Sequence, residues 1–296
     1  MKNNKVAIGV DIGGTKIKTG LVRSGGQIIG ESITIPTGAS EQKEAIVGRI
    51  IESINYTLHI AQYENLDIQG IGMGVTGPLD IKNGKILQCP NLPTMDFYPL
   101  RETIKEHFNI PVFMNNDANA MILGESLWGA GKGFDCVLGI TLGTGLGCAI
   151  IKQNKIWIGA TETAGEIWIS PYKKGIIEDY VSGNAITRIF KKRSGKDCSA
   201  VEVADLARKG DISAKKTWDE FGQALAYALA WSVNLIDPDV IVIGGSITNS
   251  MDLFLSPVEK MLRKHICPVP AETIRIAKAQ LGDNAGFAGA AALVFS

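Results

Sequence analysis

The sequence predicts an α/β protein of two lobes. The first observation is the segment 7–16, AIGVDIGGTK, in which an apolar strand runs into two glycines and is followed by a second strand-like run, IKTGLV. The second observation is a similar unit at 141–147, TLGTGLG, set between the apolar runs VLGIT and CAII. Two strand–turn–strand units in a chain of 296 residues predict two lobes with separate cores.

The first turn has the chemistry of a phosphate-binding turn. Gly13 and Gly14 lack a Cβ, so their backbone N–H groups are open to a triphosphate, while Thr15 supplies a hydroxyl and Asp11 an oxygen for Mg²⁺. A strand rather than a helix follows the turn, which excludes a Walker A loop. A lone turn of this kind is also typical of an ordinary hairpin, and the second turn is what favours the phosphate-binding interpretation.

The small-lobe elements follow from periodicity and turn residues. The helix that covers the first strands has apolar residues at Ala45, Ile46, Ile50, Ile54 and Leu58, the spacing of one helix face. The predicted elements are strands at 5–11, 16–23 and 27–35, a helix at 41–61, a strand at 68–75, a short helix at 99–108 and a strand at 112–115.

The large-lobe elements begin at Asn116-Asp117, since both side chains accept backbone N–H bonds at a helix start. The apolar run that ends at Gly244 and Gly245 is typical of a buried parallel strand. After the helix that opens at 116–117, the predicted elements are strands at 135–141 and 146–152, helices at 200–209 and 213–236, a strand at 239–243, a helix near 251–264, a strand at 273–277 and a helix at 285–294.

The composition excludes several classes of protein. Thirty basic and thirty acidic residues cancel, with a pI near 6.8, so no general field attracts nucleic acid or a membrane surface. The N-terminus has no signal-peptide pattern, and we expect a cytoplasmic protein with no membrane partner. Five widely spaced cysteines predict reduced thiols rather than a disulfide framework.

Nine motifs together resemble the ROK sugar kinases, within the superfamily of actin, Hsp70 and hexokinase. They are DIGGTK at 11–16, GVTGPLD at 74–80, CPNLP at 89–93, NNDANA at 115–120, TLGTGLG at 141–147, AGE at 164–166, SGNAI at 182–186, IGGS at 243–246 and LGDNAGFAGAAAL at 281–293.

The resemblance implies a two-lobed actin-like ATPase (ribonuclease H-like) fold with a nucleotide and sugar cleft between the lobes. The small lobe would hold 1–116 and the first phosphate turn, with the C-terminal helix 284–296 packed back on it. The large lobe, 117–283, would hold the second phosphate turn and the adenosine site. The resemblance also implies a homodimer.

The resemblance assigns Asp117, in NNDANA, as the general base for a sugar hydroxyl. A helix start stabilises an ionised carboxylate, and a weak base suffices when deprotonation is late in phosphoryl transfer; the alternative is a plain helix cap. The sugar-binding residues implied alongside it are Thr76, Gly77, Asn91, Asn116, Glu166 and Glu178.

The nucleotide residues follow in the same way. ATP phosphates would be held by Gly13, Gly14, Thr15 and Lys16 on one side and by Thr144 and Gly145 on the other. Gly244 and Gly245 would admit the adenosine, and Asp11 would hold Mg²⁺ through water. Lys16 is also interpretable as a solvated hairpin lysine.

The chain departs from its relatives after Glu166. Most ROK kinases continue with Gly-His and a three-cysteine zinc loop, whereas this chain continues with Ile167-Trp168 and ISPYKKGII before Glu178. We therefore expect no zinc site. If 166–170 is a strand, Trp168 faces the same side as Glu166, and its indole either stacks on a sugar or fills the core.

The predicted function is an ATP- and Mg²⁺-dependent sugar kinase that phosphorylates the terminal hydroxyl of a hexose, with a glucose-type aldohexose favoured. N-acylhexosamine, allose, fructose and β-glucoside kinases are alternatives. A catalytically silent sugar sensor is a rival of another class. A DNA-binding regulator is not expected, because the sequence shows neither a basic patch nor an N-terminal helix-turn-helix.

Overall fold

The computed structural model describes residues 5–296 and divides into two compact units. The first unit comprises the chain up to Gly133, together with Asn154–Glu162 and Gln280–Ser296; the second comprises Phe134–Gln153 and Thr163–Ala279. Each unit has its own buried apolar core. Residues 1–4, which precede the first predicted strand, lie outside the described residues.

The strands of residues 5–296 are β1 Lys5–Ile12, β2 Lys16–Arg23, β3 Ile28–Pro36, β4 Asp67–Val75, β5 Leu79–Asp80, β6 Lys85–Ile86, β7 Val112–Asn116, β8 Cys136–Leu142, β9 Leu146–Lys152, β10 Lys155–Ile156, β11 Pro171–Tyr172, β12 Gly175–Ile176, β13 Val240–Gly244 and β14 Arg275–Lys278.

The α-helices are α1 Lys43–Tyr63, α2 Leu100–Phe108, α3 Asp117–Trp128, α4 Gly183–Ser194, α5 Ala200–Arg208, α6 Ile212–Ile236, α7 Leu255–His265, α8 Pro268–Thr273 and α9 Ala285–Phe295. Short 3-10 helices lie at Pro93–Met95, Ile167–Ile169, Ile177–Asp179, Ser246–Leu253 and Gly282–Asn284. No helix within residues 5–296 combines the length and the apolar character needed to cross a membrane.

The sheet of the first unit has the order β3-β2-β1-β4-β7. β1 pairs with β2 antiparallel across the first glycine turn and with β4 parallel. One face carries the core, where Ile8 and Val10 belong to the same buried cluster as Ile46, Ile50 and Ile54 of α1. The expected meander with a covering helix is therefore present.

The other face of this sheet carries α9 in direct backbone contact. A Cβ at Gly9 would overlap the carbonyl oxygen of Phe287, and a Cβ at Gly72 would overlap that of Ala290. Only glycine permits so close an approach, and the helix itself, AGFAGAAALVF, consists mostly of small residues. The strand glycines thus position the C-terminal helix on the sheet.

The unit boundary differs from the predicted division at 116/117, because α3 lies in the first unit. It packs against α9 and β4. The fully buried carboxylate of Glu125, in α3, also accepts hydrogen bonds from the backbone N–H groups of Gln280 and Leu281, at 2.8–3.0 Å. A helix cap at Asn116 marks a local boundary in the chain, whereas these long-range contacts decide where the helix packs.

Four strands of the second unit pair in the order β9-β8-β13-β14. β8 pairs with β9 antiparallel across the second glycine turn and with β13 parallel, which repeats the arrangement of β1, β2 and β4. Phe190 of α4, Trp218 and Phe221 of α6, and Phe254 just before α7 are fully buried in its core. The two predicted strand–turn–strand units therefore have equivalent places in the two sheets.

Four segments differ from the elements considered in the sequence. The condition that 166–170 is a strand is not met, because Ile167–Ile169 forms a 3-10 helix. The helix expected near 251–264 is two elements, a 3-10 helix that ends at Leu253 and α7. The helices α4 and α8 were not expected. The signals for α4 are Ser182, whose side chain caps the N-terminus, and Gly195, which ends the helix at φ 76°.

Candidate functional site

The first turn is held in shape by a buried threonine. The backbone N–H of Gly13 donates to the carbonyl of Lys16 at 3.0 Å, which closes the hairpin. The hydroxyl of Thr37 donates to the carbonyl of Gly13 at 2.6 Å, and its N–H donates to the carbonyl of Thr15 at 3.0 Å. The side chains of Thr15 and Lys16 remain exposed, so both are accessible to a ligand.

Asp11 lies near the end of β1 at the start of α9. A Cβ at Gly286 would overlap the Asp11 carboxylate, so this glycine makes room for it at the helix N-terminus. Burial raises the pKa of Asp11 above its usual 3.8, while the positive charges of Lys16 and Lys18 lower it. Lys18 faces Asp11 across the strand pair and donates to the side chain of Asn284 at 2.8 Å.

Asp117 is the first residue of α3, at the point where β7 ends. Its Oδ1 accepts the Ala118 N–H at 2.7 Å, and Asn116 Oδ1 accepts the same N–H at 2.9 Å. Asn116 is therefore the N-cap of α3, and Asp117, the first residue of the helix, accepts the same N–H. Capping also fixes the orientation of the carboxylate, so the two interpretations are compatible.

The loops that carry the predicted sugar residues meet beside the first turn. Asn91 Nδ2 donates to the Thr76 hydroxyl at 3.0 Å. A Cβ at Gly14 would lie 2.9 Å from the Asn91 carbonyl oxygen, and one at Gly77 would lie 3.2 Å from Asn116 Nδ2. The first unit therefore brings five predicted residues from four separate motifs into one group.

Cys89 is a buried member of this group that sequence reasoning did not single out. Its thiol donates to the carbonyl of Gly77 at 3.1 Å. Burial raises the pKa of Cys89, and the Asp117 charge raises it further, so the thiol stays protonated. The cysteine supports the Gly77 loop from within.

In the second unit, Trp168 is hydrogen-bonded to Glu166. The indole Nε1–H donates to Glu166 Oε2, and the backbone between them is a 3-10 turn rather than a strand. The carboxylate is exposed, while the half-buried indole packs against the core of this unit. One edge of the indole therefore binds Glu166, while the rest of the ring packs against the core.

Glu178 contacts the second glycine turn. Its Oε2 accepts the backbone N–H of Leu146 at 2.8 Å, and a Cβ at Gly145 would lie 2.5 Å from the same oxygen. The N–H of Gly183 donates to the carbonyl of Gly143 at 2.8 Å. The predicted sugar carboxylate is therefore built into the predicted phosphate turn.

A cavity of about 400 Å³ opens beside this turn within the second unit. It is lined by the turn, the first residues of α4, the exposed face of α5 and the 3-10 helix after β13; its polar members include Thr144, Asn184, Thr187, Ser199, Arg208 and Ser246. The size and mixed lining suit a nucleoside.

Arg208 is fixed at the rim of this cavity. Its guanidinium donates to both carboxylate oxygens of Asp252, at 2.8 and 3.1 Å, and to the carbonyl of Asn249 at 3.0 Å. The hydrogen bond from Arg208 lowers the pKa of Asp252. Sequence reasoning missed Arg208 because no motif surrounds it, whereas Asn184 lies within the SGNAI motif and could have been found there.

Gly244 and Gly245 come directly before two residues that line this cavity. Neither is among the residues that line the cavity, which instead meets their neighbours Ser246 and Ile247. Gly245 has φ +87°, and a Cβ there would overlap the carbonyl of Leu142. Its small size serves the packing of this loop against the end of β8.

Residues 5–296 contain no group of three or more His, Cys, Asp or Glu side chains that could hold a metal ion. Between Glu166 and Glu178 the chain forms the β11–β12 hairpin instead. The Lys173 ammonium in its turn lies 5.2 Å from the ring of Tyr172 and 4.9 Å from that of Tyr180. These cation–π contacts hold the hairpin together by side-chain packing.

Comparison with known proteins gives a match of the ROK family model to residues 7–296. The chain belongs to the ROK family. It is 30% identical to a glucokinase of Thermotoga maritima, over 97% of this chain and 96% of that one. It is 29% identical to an N-acetyl-D-glucosamine kinase of Photobacterium profundum, over 96% and 98%.

A solved ROK structure is similar throughout. The ROK family glucokinase from Streptomyces griseus, in complex with glucose and AMPPNP, superposes with a TM-score of 0.81 at 31% identity, covering 97% of this chain and 98% of that one. The predicted resemblance to ROK sugar kinases is confirmed. So is the fold class, a mixed α/β fold on two sheets of the actin-like ATPase type.

Proposed function

We propose that this ROK sugar kinase transfers the γ-phosphoryl group of ATP to the terminal hydroxyl of a hexose, with a glucose-type aldohexose as the favoured substrate. The observation that carries the proposal is the grouping of Thr76, Gly77, Asn91 and Asn116 beside the first glycine turn, next to Asp117. Glucokinases are prominent among the similar proteins, which supports the choice of sugar.

Asp117 would act as the general base. Its carboxylate sits at a helix start, which stabilises the ionised form, and the bond from Ala118 fixes its direction. In phosphoryl transfer the protein mainly positions the reactants and stabilises developing charge, so a carboxylate that accepts the hydroxyl proton late is sufficient.

The sugar would be held by amides and carboxylates. Asn91 and Asn116 can each donate to and accept from a hydroxyl, and Glu166 and Glu178 can each accept hydroxyl protons. Trp168 already occupies Oε2 of Glu166, so a sugar hydroxyl would use the other oxygen. An indole fixed this way could also stack on the apolar face of a pyranose.

The nucleotide would use both glycine turns. Gly13, Gly14, Thr15 and Lys16 offer backbone N–H groups, a hydroxyl and a cation to phosphate, and Thr144 with Gly145 offers the equivalent groups of the second turn. The cavity beside Thr144 would take the adenosine, with the planar Arg208 guanidinium at its rim available to stack on the base.

Asp11 would supply a carboxylate for Mg²⁺, through water. Mg²⁺ in nucleotide sites is held by one or two carboxylates together with phosphate oxygens and waters, and Asp11 presents such an oxygen between Lys16 and the α9 start. The ion would neutralise phosphate charge. Glycine at 286 leaves space for a carboxylate in this place.

We also infer that the protein is a homodimer that associates through α6. The exposed residues in the last four turns of this helix are Gln223, Tyr227, Trp231, Asn234 and Leu235, and none of them is charged. The rings of Tyr227 and Trp231 are in edge contact, at 6.3 Å. An uncharged aromatic stripe of this kind is typical of an interface.

A panel assay tests the proposed reaction. Purified protein is incubated with ATP, Mg²⁺ and single sugars: glucose, N-acetylglucosamine, N-acetylmannosamine, allose, fructose and a β-glucoside. Mass spectrometry then measures the phosphorylated products. We expect a hexose monophosphate and an equal amount of ADP, with glucose among the best substrates. Sugar binding by calorimetry without any phosphorylated product would instead support the silent sensor.

A further inference from the structure

The 3-10 helix Ile177–Asp179 and the start of α4 are joined to the second glycine turn at two points. Glu178 Oε2 accepts the N–H of Leu146, at one end of the turn. Gly183 donates its N–H to the carbonyl of Gly143, at the other end. The turn therefore cannot move without also moving the carboxylate of Glu178 or breaking one of these bonds.

The contact at the centre of the turn is equally close. The N–H of Gly143 donates to the carbonyl of Gly145 at 3.0 Å, which closes the turn on itself. Glu178 Oε2 lies only 2.5 Å from the position that a Cβ on residue 145 would occupy, so there is no room for a side chain there. The position of Glu178 Oε2 therefore depends on the shape of the turn, and the shape of the turn depends on where this oxygen lies.

The backbone of Glu178 is fixed on its other side. The Ser182 hydroxyl donates to the Glu178 carbonyl at 3.0 Å and accepts the N–H of Ala185 at 3.0 Å, as the N-cap of α4. With the backbone fixed and Oε2 committed to the turn, a sugar hydroxyl is offered the opposite oxygen, Oε1. A ligand on Oε1 then reorients the same carboxylate that holds Leu146.

The nucleotide cavity adjoins the same turn. Gly143, Thr144 and Gly183 all line it, so any change at the ends of the turn alters the wall of that cavity. Glu166, the other predicted sugar carboxylate, is bonded to Trp168 instead. Of the two glutamates, Glu178 is the one with a direct hydrogen bond to the turn.

We propose that Glu178 is a positioning residue that couples sugar binding to nucleotide binding, so that each ligand tightens the binding of the other. The inference rests on the proposed function, since it needs a sugar at Glu178 and phosphates at the second turn. Coupling between two sites is reciprocal and typically amounts to about 5- to 150-fold in affinity. We expect about tenfold here.

Calorimetric titration with a non-hydrolysable ATP analogue and Mg²⁺ measures this coupling. The analogue is titrated into the wild-type protein with and without a saturating concentration of the best sugar of the panel. We expect its Kd to fall about tenfold when sugar is present, and the Kd of the sugar to fall by the same factor when the analogue is present.

Glu178→Ala removes the link and should bring the ratio of the two analogue Kd values close to one. Glu178→Gln is the conservative variant: its amide oxygen can still accept the Leu146 N–H, so part of the coupling should return. Glu166→Ala is the matched control. It weakens the sugar, but at saturating sugar it should keep the wild-type ratio, because Glu166 does not touch the turn.

Gly145→Ala provides a second approach if Glu178→Ala binds no sugar or unfolds. The new Cβ displaces Glu178 Oε2 while leaving the carboxylate in the chain, and the coupling should again fall toward one. Independent binding of sugar and analogue in the wild type would overturn the inference and leave the kinase intact. Wild-type coupling in both Glu178→Ala and Gly145→Ala would also overturn it. Failure of the wild type to bind either ligand would overturn the proposed function as well.

Discussion

Trp168 stands where the family resemblance implies a histidine. An imidazole can both donate and accept a hydrogen bond, whereas an indole N–H only donates. The structure uses that single donor on Glu166, and the ring body packs against the core of the second unit. A sequence can show that the residue type has changed, but the indole–carboxylate bond depends on a 3-10 turn that strand periodicity did not predict.

Trp168→Phe should raise the KM for the preferred sugar roughly 2- to 10-fold, because Glu166 loses the hydrogen bond that orients it. The KM for ATP should change little. Initial rates at varied sugar and varied ATP measure both constants. Trp168→His is the companion variant: a changed order of preference across the sugar panel would show that the ring faces the sugar, and an unchanged order would show that it only fills the core.

The cysteines predict a pattern of chemical reactivity. Burial and the nearby Glu166 charge raise the pKa of Cys148 to about 12, so at pH 8 only about one thiol in ten thousand is the reactive thiolate. Cys267, by contrast, is exposed.

We expect iodoacetamide at pH 8 to modify Cys267 in the folded protein and to leave Cys148 unmodified. Peptide mass spectrometry over a time course measures both sites, and all five cysteines should react in denaturant, which serves as the control. Equal rates at Cys148 and Cys267 in the folded protein would contradict the burial described above.

The helix start at Asn116 and Asp117 could be predicted from sequence because a cap motif and the end of a strand are local signals, whereas their proposed roles rest on the family resemblance. Arg208 could not. It reaches the cavity only because α5 packs beside the 3-10 helix that carries Asn249 and Asp252, some forty residues later in the chain. Contacts of this kind have no signature in a single sequence.

At the scale of elements, the C-terminal helix depends on the glycines of the sheet beneath it. The apolar composition predicts the helix at 285–294, and it lies at Ala285–Phe295. The reason for its small residues becomes clear only in the structure, where the backbone of α9 rests on Gly9 and Gly72. Periodicity predicts that a helix forms, and close packing explains which residues it can contain.

Gly72→Ala should lower the free energy of unfolding by about 1–3 kcal/mol, because the new Cβ overlaps the Ala290 carbonyl and forces the helix away from the sheet. Gly48→Ala is the matched control. Gly48 is an exposed helix residue, and no atom lies within 4 Å of the place that a Cβ would take, so alanine there should stabilise the protein by about 1 kcal/mol. Chemical denaturation of the two variants measures both effects, and equal stabilities would contradict this account of α9.

The 3-10 helix Ile167–Ile169 and the helix α4 were not predicted from the sequence, for different reasons. A strand over 166–170 would place Trp168 on the side of Glu166, yet the ends of this segment are tied by turn hydrogen bonds, such as the one from the Ser170 N–H to the Ile167 carbonyl at 3.0 Å. Alternation over five residues is weak against a local turn. In α4 the capping residues Ser182 and Gly195 were the usable signals.

At the scale of the whole molecule, the exposed face of α6 predicts self-association. Trp231 is 67% exposed and Leu235 is 86% exposed, in a chain with no net charge at pH 7. An apolar stripe with little charge around it lacks the repulsion that keeps surfaces apart.

Trp231→Glu should convert the proposed dimer to a monomer, because two like charges would meet across a symmetric interface. Light scattering coupled to size-exclusion chromatography measures the mass. Trp157→Glu, at an exposed tryptophan outside α6, is the control and should leave the dimer unchanged. A wild type that is monomeric at micromolar concentration would contradict the α6 interface.

Asp117 is proposed to remove a proton from a sugar hydroxyl while ATP phosphorylates that hydroxyl. The wild type and Asp117→Asn are each incubated with ATP and the best sugar of the panel. ³¹P NMR then measures how much ADP and sugar phosphate each protein forms. We predict that Asp117→Asn lowers kcat by about 10²- to 10⁴-fold while the Kd of the sugar stays within a few-fold of the wild type. Full activity of Asp117→Asn, or consumption of ATP by the wild type with no phosphorylated sugar, would contradict the account.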